Sequence, residues 1–235
     1  MRSTVDGRAI LDVERLAAHL AELPAVRPVV GIDGPGGSGK STLAQHLAER
    51  LPGCSVVHGD DLFLPSAVRP ERDFAAGGQF DLARLRDQVL APARAGHAAR
   101  YQVYDWELDG LAEWEEVPAV GPVLVEGVYC TEARLRGLYD VRVYCGADRA
   151  VRLARALARD GDHMRRLWTE VWMPAEDAYL AGQRPDGHAD LVLDGGGAGT
   201  EGPLWTILGG PARPAGRRSL THPGKRSGSQ LSGTT

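Results

Sequence analysis

Lys40 is one of only two lysines in the chain, the other being Lys225 near the C-terminus; arginine carries nearly all the remaining positive charge. It stands in Gly34-Pro35-Gly36-Gly37-Ser38-Gly39-Lys40-Ser41-Thr42. At this spacing the chemistry is that of a phosphate cradle. The glycines let backbone N–H groups turn inward around phosphate oxygens. A compact ammonium on a flexible stem reaches the β- and γ-phosphates, where arginine's planar fork substitutes poorly. A hydroxyl at Ser41 suits Mg²⁺. Gly34, Gly36, Gly37, Ser38, Gly39, Lys40, Ser41 and Thr42 are therefore the candidate nucleotide-binding residues, with a nucleoside triphosphate and Mg²⁺ as the expected ligands.

Phosphoryl transfer also needs charge neutralisation and a group that steers the nucleophile. Asp60 and Asp61 follow the apolar run 55–59, and either can accept a proton from a substrate hydroxyl or ligate Mg²⁺. Adjacent side chains point different ways, so one of the two is expected to be catalytic. Glu126 ends the apolar run 123–125 and is expected to face Mg²⁺ or its water shell. Arg152, Arg155 and Arg159 recur at i, i+3 and i+7 on one helical face, and Arg165 and Arg166 follow a break at Gly161. Arginines so placed read as a lid that closes on the triphosphate and excludes water.

Five strand candidates, 29–33, 55–59, 123–127, 141–145 and 189–193, must position these groups. Helical stretches at 40–51, 81–90, 131–137, 148–160 and about 164–180 separate most of them. Strands alternating with helices predict a doubly wound, five-stranded parallel sheet with helices on both faces. Residues 100–106 and 113–117 interrupt this rhythm as two alternating, aromatic-rich runs flanking Asp109-Gly110, the pattern of a β-hairpin over about 98–119. An N-terminal helix over 1–24 is expected to pack on a core domain of 25–194, with the lid at about 155–170. A Gly-, Pro- and Arg-rich tail over 195–235 is expected to be largely disordered.

A length of 235 residues, with 43% hydrophobic and 25% charged residues, suits one globular domain with appendages. The net charge of −4 gives no reason to expect a nucleic-acid partner. Arg213, Arg217, Arg218, Lys225 and Arg226 make the tail basic, which reads as solvated chain. Three widely spaced cysteines read as free thiols in a reducing compartment. With no apolar run long enough to span a membrane, a cytoplasmic protein is expected. A guanine-reading Asn-Lys-x-Asp motif is excluded because the chain has no asparagine. The oligomeric state is left open, a homo-oligomer included.

Taken in order, the phosphate loop, Asp60-Asp61-Leu62-Phe63-Leu64-Pro65, Phe80-Asp81-Leu82, Val103-Tyr104-Asp105-Trp106, Val125-Glu126-Gly127-Val128-Tyr129 and Arg152…Arg159-Asp160 resemble the uridine kinase group. Phosphoribulokinase and bacterial pantothenate kinase belong to the same group. The resemblance covers roughly 29–194 and implies a P-loop NTPase fold and an ATP-dependent kinase of a small-molecule hydroxyl. It implies Asp60 as the catalytic aspartate, with Lys40, and Ser41, Glu126 and Asp60 around Mg²⁺. It further implies Tyr104 and Trp106 as the aromatic pair around a base, and Arg155 and Arg159 as lid arginines. Asp61, Asp73, Arg165 and Arg166 complete the candidate acceptor-side residues. Three departures bear on the acceptor. The family's ribose-gripping aspartate corresponds to Ala75, its histidine after the Tyr-Asp-Phe motif corresponds to Asp109, and the lid stretch 161–166 is shortened. A buried diol without its carboxylate loses a charge-assisted hydrogen bond of about 1.5–3 kcal/mol. The expected acceptor is a nucleoside. The alternatives are another small hydroxyl compound, such as pantothenate, a sugar or an antibiotic, or a nucleotide-binding regulatory protein with weak turnover.

Overall fold

The computed structural model of the chain describes residues 4–5, 8–69, 78–199 and 202–209. Its main strands are, in chain order, β1 (Val29–Asp33), β2 (Ser55–His58), β3 (Ala99–Asp105), β4 (Gly110–Val117), β5 (Val123–Glu126), β6 (Val141–Gly146), β7 (Leu191–Gly199) and β8 (Gly202–Gly209). The short apolar runs become the central sheet, ordered β8-β7-β6-β1-β5-β2. Every neighbouring pair from β7 to β2 is parallel. β1 and β5 are buried along their whole length, as central strands covered on both faces must be.

Alternate residues of these strands feed two cores. Val30, Ile32, Leu124, Val143 and Leu193 meet Leu16 and Leu20 of α1 (Val13–Ala21) and Leu43 and Leu47 of α2 (Lys40–Ala48). Val29, Val57, Val123 and Val125 meet the opposite layer. That layer contains α3, a continuous helix built from Leu82–Arg84, a π turn Leu85–Leu90, and Ala91–Arg94. After α4 (Arg149–Asp160) comes α5, which joins Arg165–Leu167, the π turn Trp168–Trp172 and Met173–Gln183. The period-2 alternation of each strand thus serves a doubly wound sheet.

The sixth strand corrects the expected five. β8 is antiparallel to β7, so the sheet gains an antiparallel edge, and residues 195–199 and 202–209 belong to it rather than to a disordered tail. Trp205, in the apolar island of β8, is buried edge-on to His46 of α2, with ring centroids 5.9 Å apart. The glycine run expected to open a disordered tail has a packing cause. A Cβ on Gly195 would lie 2.1 Å from the Ser38 carbonyl oxygen, so the strand runs directly against the phosphate-loop backbone. The basic stretch 210–235 lies outside the described residues.

A second correction falls on 131–137, where a helix was expected. Thr131 donates both its N–H (2.9 Å) and its hydroxyl (2.7 Å) to Asp33 Oδ2, and only one 3₁₀ turn, Arg136–Leu138, forms. The bonds tie the start of this stretch to β1. β3 and β4 form the expected hairpin as a separate antiparallel pair, with Asp109 in the left-handed region at φ 46°.

Candidate active site

Parallel strands end together, so their C-terminal edges gather the loops that follow them. β1 runs into the phosphate loop, β5 ends at Glu126, and β2 leads into the 3₁₀ turn Gly59–Leu62 that carries Asp60. The order β1-β5-β2 sets these three next to one another across an open cleft of about 880 Å³. Gly39 caps α2 at φ 95°, a conformation that favours glycine, and aims the orphan N–H groups of the helix start at the loop. Lys40 is buried, and its Nζ donates to the Pro35 carbonyl at 3.0 Å inside the loop.

Two carboxylates face this cradle, and a histidine backs one of them. Asp60 lines the cleft floor and is open to it. Loss of solvation in the recess and the nearby charge of Glu126 push its carboxyl above the usual aspartate value, against the pull of Lys40 and Arg159. Glu126 is buried; desolvation pushes its carboxyl up, but hydrogen bonding to His58 and Ser41 and the charge of Lys40 outweigh it and leave it below the usual value. Glu126 is thus ionised at neutral pH, so His58 Nδ1 carries the proton of the 2.7 Å bond to Glu126 Oε1. That bond first, with the charges of Glu126, Asp61 and Asp60, raises the His58 pKa. His58 escaped the sequence reading because only the strand order reveals it as the register partner of Glu126.

The remaining candidates divide. Asp61 turns under the hairpin, where the Tyr101 hydroxyl donates to its Oδ2 at 3.0 Å, and it does not line the cleft. Trp106 does line it and is 55% exposed, whereas Tyr104 is buried behind it at a ring separation of 5.1 Å. The Tyr104 hydroxyl donates to Asp109 Oδ1 at 2.6 Å. Asp109 also takes the backbone N–H and hydroxyl of Ser66 and a guanidinium N–H of Arg69. Phe63 and Phe80, in contact at 5.0 Å, and Gln79 complete that wall. Asp73 and Ala75 lie outside the described residues.

The arginine lid needs correcting. Arg155 lines the cleft but its guanidinium is spent on the carbonyls of Gly37 (3.2 Å) and Gly195 (2.8 Å), which makes it a strut between loop and sheet. Arg165 pairs with Asp162 and Arg166 with Glu170, both at the exposed surface away from the cleft. Only Arg159 of the expected lid arginines presents charge toward Asp60 and Glu126, which in turn raise its pKa after the larger effect of its bond to Asp160. The lid's inner face is instead Met164, Trp168 and Trp172. These apolar residues fit the helical periodicity of the segment but carry no sequence mark of facing a ligand.

A phosphate loop between the central strand of a parallel sheet and the helix that follows is the architecture of a P-loop NTPase. The profile of the phosphoribulokinase / uridine kinase family matches residues 29–166, and the chain belongs to that family. A uridine kinase from Latilactobacillus sakei subsp. sakei (strain 23K) is 30% identical over 191 residues, covering 72% of this chain and 86% of its relative. One from Staphylococcus haemolyticus (strain JCSC1435) is 28% identical, covering 72% and 88%. A solved structure described as a possible uridine kinase from Bacillus stearothermophilus superposes with a TM-score of 0.60 at 26% identity, covering 77% of this chain and 96% of that one. This chain is accordingly an ATP-dependent kinase of a small molecule. Among the described residues, no helix is long and apolar enough to cross a membrane.

Proposed function

We propose that this kinase transfers the γ-phosphoryl group of ATP to a hydroxyl of a nucleoside. The observation that carries the reading is the meeting of Lys40, Asp60, Glu126 and Trp106 in one cleft. The Lys40 ammonium and the backbone N–H groups of Gly37, Gly39, Lys40, Ser41 and Thr42 hold the phosphates. Asp60 accepts the proton of the acceptor hydroxyl, and its raised pKa makes it a stronger base than a free aspartate. Arg159 faces the charge that spreads over the transferring phosphoryl. The aromatic wall of Trp106, Phe63 and Phe80 offers ring faces to a planar base.

The donor set suits Mg²⁺, which would neutralise phosphate charge when bound. Ser41 and Glu126 supply hard oxygen ligands, the Ser41 hydroxyl donating to the Glu126 carboxylate. Among the described residues no cluster of three or more His, Cys, Asp or Glu could hold a metal alone. That is the pattern of an ion shared with substrate phosphates and water rather than caged by protein. Asp60, the third candidate, stands beside them. Glu126→Gln is expected to raise the Mg²⁺ concentration for half-maximal turnover by about tenfold or more, tenfold being the lower end of what losing one charged contact costs, read from a Mg²⁺ titration at saturating ATP. An unchanged Mg²⁺ curve would assign Glu126 to structure alone.

Trp106→Ala is expected to raise the acceptor KM about tenfold, since base–aromatic stacking contributes about 1–3 kcal/mol, and to leave the KM for ATP unaltered. A second acceptor class, another small hydroxyl compound, is favoured by one feature. Asp109, at the position of the family's histidine after the Tyr-Asp-Phe motif, is locked to Ser66, Tyr104 and Arg69 and does not line the cleft. Incubation with ATP and Mg²⁺ across nucleosides, pantothenate and sugar alcohols, with product detected by mass, decides between the two. Phosphorylated uridine or cytidine supports the nucleoside, whereas turnover of another compound alone refutes it.

A further inference from the structure

Glu176 and Arg152 form a buried ion pair at the phosphate loop, and the transfer chemistry described above gives them no part. They come from α5 and α4 and are only 5% and 4% exposed. Together they grip both polar groups of one loop residue. Gly36 N–H donates to Glu176 Oε1 at 2.9 Å, and Arg152 Nε donates to the Gly36 carbonyl at 3.0 Å. The ring of contacts closes where Arg152 Nη2 donates to Glu176 Oε2. No larger residue fits the site, since a Cβ on Gly36 would lie 2.6 Å from Trp168 Cη2 and 3.0 Å from Glu176 Oε1. Trp168 is itself fixed, its Nε1 donating to Asp160 Oδ2 at 2.9 Å and the Arg159 guanidinium lying 5.9 Å from its ring centre.

The loop is therefore held from two sides. Inside, Lys40 Nζ donates to the Pro35 carbonyl with one of its three N–H groups, and the others remain for a phosphate. Outside, the Arg152–Glu176 pair holds the next residue with groups that need not move. A buried ion pair is a poor way to gain stability, because desolvation offsets its attraction. Its directed hydrogen bonds, by contrast, fix a peptide's orientation, and donors aimed in advance need no reorganisation when charge arrives.

We propose that Glu176 and Arg152 are positioning residues that hold the phosphate loop in its nucleotide-binding shape and tie that shape to the lid through Trp168. The proposal rests on residues 34–41 being a nucleotide cradle. Its test is the affinity for MgATP, measured by titration calorimetry without acceptor, for wild type, Glu176→Gln and Arg152→Lys, below the melting temperature of each. Glu176→Gln keeps an acceptor for the Gly36 N–H but removes the charge that Arg152 needs. Arg152→Lys keeps the charge but cannot bridge Gly36 and Glu176 with one rigid fork. Each variant is expected to bind MgATP at least about tenfold more weakly, with the acceptor KM unaltered. Folded variants that bind MgATP as tightly as wild type, or more tightly, would overturn the positioning role and leave the pair as packing. If one variant does not fold, the other carries the test. A wild-type protein that itself fails to bind MgATP would overturn the cradle reading, and the positioning role with it.

Discussion

Lys40→Ala is expected to lower turnover by about 10³–10⁵-fold, the range in which a single cation at the transferring phosphoryl acts. The size follows from the position. Lys40 is buried in the loop, and its ammonium is already held 3.0 Å from the Pro35 carbonyl, so its remaining N–H groups are in place for phosphate oxygens rather than recruited from a distant chain. No other lysine is available before Lys225, and Arg155 is committed to the carbonyls of Gly37 and Gly195. Lys40→Arg is expected to recover little, because the planar fork cannot follow the same path through the loop. The check is single-turnover transfer at saturating MgATP, and turnover within tenfold of wild type would remove Lys40 from the chemistry.

The second large effect is expected at Asp60. Asp60→Asn should lower kcat by about 10²–10⁴-fold, the contribution of a positioned general base, with the affinity for MgATP little altered. Asp61→Asn should leave kcat near wild type, because Asp61 is turned to the Tyr101 hydroxyl and lies outside the cleft. A larger loss at Asp61 than at Asp60 would reverse the assignment. The pH dependence has a definite sign. The base works when ionised, and desolvation together with Glu126 holds the Asp60 pKa above the ordinary value. Activity is therefore lost on acidification at a higher pH than a free aspartate would impose, and the limb vanishes in Asp60→Asn.

The hairpin shows how far residue patterning reaches. Alternating aromatic residues about Asp109-Gly110 were enough to place two antiparallel strands. They could not say which of Tyr104 and Trp106 would face a ligand. The two are separated by an even number of residues, yet Trp106 falls just past the end of β3, so strand alternation no longer governs its direction. The arginines of α4 and the lid were legible as a charged face in the same way. The two surface pairs are local, Arg165 with Asp162 three residues away and Arg166 with Glu170 four away, whereas the strut at Arg155 depended on where Gly37 and Gly195 came to rest.

The sequence by itself determined what is local. Glycine spacing, Lys40 and the apolar runs depend on neighbours a few residues away, and these set the phosphate loop, the five parallel strands and the carboxylates at their ends. Tertiary structure alone decided what depends on partners far along the chain. The β2–β5 register joins His58 to Glu126 across 68 positions, and α5 brings Glu176 to Gly36 across 140. The same holds for the glycine run at 195–199, which reads as the start of a disordered tail until the phosphate loop passes against it. Backbone conformation is biased by residue type over one or two turns, whereas side-chain pairing between distant segments is set by the order in which strands and helices pack, and no short pattern encodes that order.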